Sequence, residues 1–139
     1  MNARKSVLAL GVSASAAVLG AALALPAVAG GATHPHTLHF VANSQVSVGL
    51  GKHGGAAVDK DVNHGKLVGY DLVSFTGQST ADVAVALPGG LLYASLQFSD
   101  SGGLTGTVTG GTGPYAHARG TVSGMNTGKT TTDVTVTYH

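Results

Sequence analysis

The chain has 139 residues, of which 43 % are apolar and 9 % charged, and it contains no cysteine. Disulfides, thiolate metal sites and a lipid-anchored cysteine are therefore excluded. Seven Lys and Arg stand against six Asp and Glu, which leaves no basic footprint for nucleic acid, and no amphipathic basic helix suits a membrane surface.

Met1 to Lys5 carries Arg4 and Lys5, Val7 to Leu25 is an apolar run of small residues, and Ala27-Val28-Ala29 has the small-x-small form of a cleavage site. These three features together predict a secretory signal peptide over residues 1–29. A retained membrane anchor is the alternative, opposed by Gly11, Gly20 and Pro26 within the segment. Cleavage leaves one domain over residues 30–139, secreted and with no membrane association. It carries five cations and six aspartates, no glutamate, 20 glycines and 15 threonines. That composition is all-β.

Alternation and turn residues divide the domain into eight strands. The first runs from Thr37 to Ala42 and continues through Val46 and Val48, before the glycine-rich stretch Gly49 to Gly55 ends it. The second is Ala56 to Val62, followed by Asn63-His64-Gly65 as a tight turn. Lys66 to Thr76 and Ala81 to Leu87 flank Gly77-Gln78-Ser79, and Pro88-Gly89-Gly90 turns the chain into Leu91 to Phe98. Ser99 to Gly103 leads into Leu104 to Thr109, Tyr115 to Ser123 is the seventh strand, and Asn126 to Lys129 joins it to Thr130 to Tyr138. Hairpin-length connections predict an up-and-down antiparallel sheet. Closure into a barrel hides its edges, and the successive short turns favour that over a β-sandwich. An eight-stranded barrel has room for packed side chains or one small ligand.

Residues 110–120, GGTGPYAHARG, combine a glycine-rich run with one of the two arginines. A phosphate loop needs a terminal Gly-Lys-Ser/Thr and a following helix. Pro114 and alternating residues follow instead, so the glycines mark a corner between strands six and seven.

The segment TVTGGTGPYAHARGTVSG resembles the G-G-T-G-x-[YF]-x-x-A-R-G signature of the allene oxide cyclase and dirigent barrel superfamily, and DKDVNHGKLVGYDLVSFTG is similar to a strand-turn-strand unit of its secreted bacterial members. The resemblance extends from about Thr37 to His139. It implies an eight-stranded barrel with an apolar cavity, assembled as a dimer or trimer, that needs no metal or organic cofactor. The implied activities are isomerase, ring-closing or stereo-directing chemistry on a hydrophobic small molecule. Plant allene oxide cyclases use a glutamate, which this chain lacks.

Strand parity over Tyr115 to Ser123 places Tyr115, His117, Arg119 and Thr121 on one face and Ala116, Ala118 and Gly120 on the other. With the bulky set inward, Arg119 is a fixed cation for a carboxylate or a developing negative charge, and dirigent-type proteins carry an arginine at the matching place. With the alanines inward, the bulky set faces solvent. Asp59 and Asp61 share a strand face and could divide into an ionised base and a protonated acid, or simply form a solvated edge. Dirigent-like barrels place an acidic residue in this region. Tyr70 and Asp71 face opposite ways in a regular strand, so one of them lines the cavity. Arg119, Asp59 and Asp61 are thus the catalytic candidates, and Tyr115, His117, Tyr70 and Phe40 the candidate ligand contacts. Tyr93 shares its face with Ser95 and Gln97, away from the apolar set of its strand. His34, His36 and His39 could chelate a metal but suit a flexible N-terminus better. No G-x-S-x-G elbow supports a hydrolase.

Two readings follow. One is an exported barrel that holds a hydrophobic molecule and turns it over as an isomerase or cyclase, chiefly by orientation. The other is a non-catalytic lipophile-binding or cell-envelope barrel. Convergence of the charged candidates in one cavity separates them.

Overall fold

The computed structural model describes residues 34–51 and 54–139; the signal peptide expected over residues 1–29 lies outside the described residues. Alternating residues form eight strands, β1 (His36–Gly49), β2 (Gly55–Asn63), β3 (Lys66–Phe75), β4 (Thr80–Leu87), β5 (Gly90–Phe98), β6 (Gly103–Gly111), β7 (Gly120–Asn126) and β8 (Thr131–Tyr138). Each pairs antiparallel with its neighbours in sequence, and β8 pairs with β1 to close the barrel. Closure leaves no unpaired edge, and the expected up-and-down eight-stranded barrel is the observed fold.

The alternation sorts side chains to the two sides of the wall. On β4, Ala81, Val83, Val85 and Leu87 are buried while Asp82 is exposed. On β8, Val134 and Val136 are buried. Three register shifts, at Ser44/Val46, Asp61/Val62 and Tyr93/Ala94, supply the local bending that a small closed barrel requires.

The seventh strand departs from the expectation that it begins at Tyr115. Gly113–Tyr115 form a 3-10 turn with Pro114 at its start, and Gly113 has φ +56°, a conformation natural to glycine. The carbonyls of Thr112, Gly113 and Tyr115 accept hydrogen bonds from the amides of Tyr115, Ala116 and Ala118. Backbone groups satisfied locally have no ladder to join, so β7 starts only at Gly120. The N-terminal histidines also differ from expectation. His36 and His39 are on β1, where His36 stacks on Tyr138 and His39 Nε2 lies 2.9 Å from Asp133 Oδ1.

Candidate functional site

The barrel interior is filled unevenly. Toward the end carrying the β4–β5 and β6–β7 connections, Leu87, Leu92, Val108 and Ala118 are buried and close the floor. Toward the other end a cavity of about 360 Å³ opens, within the range of small-molecule sites. Its lining includes Ser47, Phe75 and Asn126, which are exposed and therefore mark its mouth. Phe75 and Phe98 meet there with ring centroids 6.0 Å apart. The wall below is apolar, with Phe40, Val73, Val85 and Ala94 among its residues.

Three carboxyls interrupt this apolar wall. Inward positions of β2 run from Ala57 through Asp59 to Asp61, the last 0 % exposed. Asp71 of β3 is the cross-strand partner of Asp59 and is 7 % exposed. Directly opposed residues have Cβ atoms roughly 4.5–5.5 Å apart, so the two acids share one patch of wall, and both line the cavity. Asp61 sits one inward step deeper, paired with Ala42 on one side and Gly69 on the other. Ser44 lies opposite Asp59 on β1.

The bulge in β3 sets this arrangement. His64 and Gly65, with φ of 48° and 76°, form a two-residue turn with the positive angles of a type I′ hairpin, pairing Asn63 with Lys66. Unbroken pairing from there would set Tyr70 opposite Asp59. The extra residue on β3 between Leu67 and Gly69 advances the strand by one, so Asp59 meets Asp71 and Lys60 meets Tyr70. A shift of one residue exchanges the faces of a strand. A Cβ at Gly69 would collide with the Ala86 carbonyl oxygen, so the bulge has room only for glycine.

Burial and mutual repulsion govern these acids. Burial first, and then the nearby carboxyls of Asp71 and Asp59, push Asp61 up to about 8. Asp71 rises to about 7, through burial and then the Asp59 charge. Burial also raises Asp59, offset in part by the Ser44 hydroxyl. Both oxygens of Asp61 and Oδ1 of Asp59 and of Asp71 have no hydrogen-bond donor. These oxygens are themselves buried in the wall, and of the three residues Asp59 and Asp71 line the cavity.

The other candidates divide. Phe40, 2 % exposed, lines the cavity as expected. Tyr70 does not: it is 47 % exposed on the outer face, because the bulge turns Asp71 inward in its place. Arg119 lies outside the cavity and is exposed, its Nη1 donating to the Ala118 carbonyl at 2.7 Å. His117 is exposed as well. Both fall outside because the 3-10 turn replaces the strand whose parity aimed them inward, and Ala118 takes the buried position. Tyr115 packs against the core, but its hydroxyl donates to the Pro88 carbonyl at 3.1 Å and it is not part of the cavity wall. Tyr93 is on the outer face, partly buried. Asp59 and Asp61 converge, and Asp71 completes them.

No protein-family model matches the chain, and no curated protein matches it. Among solved structures, pyocyanin demethylase is similar, with a TM-score of 0.63 and 21 % identity over 75 % of this chain and 100 % of that one. The chain therefore shares the eight-stranded antiparallel barrel with a protein of that description.

Proposed function

We propose that this chain is an exported barrel that binds a hydrophobic small molecule and uses its aspartate cluster for general acid–base catalysis, as an isomerase or cyclase of the kind found among allene oxide cyclase and dirigent barrels. The observation that carries this reading is a cluster of three carboxyls with unpartnered oxygens, of which Asp59 and Asp71 line a mostly apolar cavity and Asp61 is buried beside them. A buried acceptor without a donor is costly to fold around, and cost concentrated in a cleft is characteristic of a working site. The solved barrel it is similar to is named for chemistry on a small molecule, pyocyanin, which agrees with this reading.

The cluster divides the labour. Asp59, which burial raises and Ser44 pulls back, is the first to ionise and acts as the base. Asp71, at the wall and pushed up to about 7 by burial and the Asp59 charge, keeps its proton longer and acts as the acid. A proton taken from one atom of the bound molecule by Asp59 and one delivered to another by Asp71 rearranges it with no net change in protons. Apolar walls orient the molecule and keep water out. This account gives Arg119 no part, which departs from the role the resemblance implied.

The test is binding of N-phenyl-1-naphthylamine, a neutral fluorescent lipophile, to the barrel, together with mass spectrometry of lipophiles that copurify with the exported protein. One dye per barrel is expected, blocked in Ala94→Phe, where the added ring occupies the cavity. Absence of both dye binding and any copurified lipophile would remove this reading.

A further inference from the structure

The charges around the cavity select among hydrophobic ligands. Among the described residues lining it there is no lysine, arginine or histidine, while two aspartates face it and a third lies directly beneath. Arg119, the one arginine of the barrel, is outside. The groups facing the cluster from the neighbouring strands are Ser44 and Ala42 on β1, Gly69 on β3 and Val85 on β4. None carries a charge. Tyr115 and Tyr138, the partly buried phenols at the floor end, are kept neutral, since burial pushes their ionisation up.

Building on the proposed function, we infer that the cavity takes a lipophilic cation or weak nitrogen base, a flat apolar body bearing one delocalised or protonated positive centre, rather than a neutral or anionic lipophile. An anion entering here meets acidic groups in a poorly solvated site with no counter-charge. A neutral hydrocarbon fills the apolar wall but offers nothing to the Asp59 and Asp71 carboxyls that line the cavity. A cation settles against Asp59 and Asp71, which line the cavity, and favours their ionised forms. Its arrival beside Asp71 expels the proton of that carboxyl: a permanent cation plus the protonated acid gives the ion pair and one proton to solvent. A neutral nitrogen base accepts that proton itself, and none is released.

Three probes of nearly equal shape test this on the wild-type barrel: N-methylquinolinium, 1-methylnaphthalene and 1-naphthoate, each titrated against bound N-phenyl-1-naphthylamine. Calorimetry in two buffers of different ionisation enthalpy counts protons. The quinolinium is expected to displace the dye at a concentration at least about tenfold below that of 1-methylnaphthalene, to release a proton near pH 7, and 1-naphthoate to fail. Equal or better displacement by 1-methylnaphthalene, displacement by 1-naphthoate, or quinolinium binding with no proton release overturns the inference while leaving a hydrophobic site intact. Failure of the dye itself to bind overturns the cavity reading beneath it, and the inference with it.

Discussion

At the scale of single residues, Asp61 has the largest consequences. Its carboxyl is held well above the ordinary carboxylate range in the folded chain, by burial first and by Asp71 second. The folded state therefore binds more protons than the unfolded state between pH 4 and 8, and stability falls as pH rises through that window. Asp71 adds to the same slope. Asp61→Asn removes the charge while keeping the shape, so urea denaturation at pH 8 is expected to show a gain of about 3 kcal/mol, shrinking toward pH 5. A loss at pH 8 would mean that the carboxylate has a partner that the geometry does not show. Arg119→Ala bears on the opposite point. The side chain is exposed, outside the cavity lining, with its Nη1 donating to the Ala118 carbonyl, so the variant should retain dye binding and change stability by no more than about 0.5 kcal/mol. Asp71→Asn should keep the fold and lose the proton released by N-methylquinolinium, as followed by calorimetry.

At the scale of elements, the β2–β3 hairpin positions the site. Its bulge decides that Asp71 and not Tyr70 faces inward. Gly69→Ala places a methyl against the Ala86 carbonyl, and urea denaturation should register a loss of about 1–3 kcal/mol. The eight strands were legible in the sequence because each alternates between residues that bury and residues that do not, and because glycine, proline and asparagine mark the turns. Asp59 and Asp61 were legible as a same-face pair by the same period. Between Tyr70 and Asp71 the sequence left the choice open, since a bulge adds one residue without changing the alternation seen in either strand alone. The corner around Pro114 was misread for a related reason. Tyr115, His117 and Arg119 alternate like a strand, yet local hydrogen bonds to Thr112, Gly113 and Tyr115 hold the backbone in a turn. Tertiary pairing, which decides between these outcomes, leaves no mark in the spacing of side chains.

At the scale of the whole molecule, closure gives the barrel both its stability and its chamber. The packed floor is the source of stability: Leu92, 1 % exposed, should cost about 2–5 kcal/mol when cut to alanine, read from the urea midpoint. The chamber above it exists because small residues such as Ala57 and Ala94 face inward where a packed core would carry larger ones. Strand alternation puts Ala57 on the face of Asp59 and Asp61, but whether small residues leave a void depends on how eight strands tilt around a common axis. That geometry belongs to the closed barrel and not to any one strand. The central claim is that Asp59 and Asp71 line this chamber with Asp61 buried beside them, all three carboxyls held above the ordinary range and Asp61 highest. A carbon-13 NMR pH titration of aspartate carboxyls tests it most directly. Asp59, Asp61 and Asp71 should remain protonated above the ordinary carboxylate range, with Asp61 the last to ionise, near pH 8; titration of all six aspartates together near about pH 4 would contradict it.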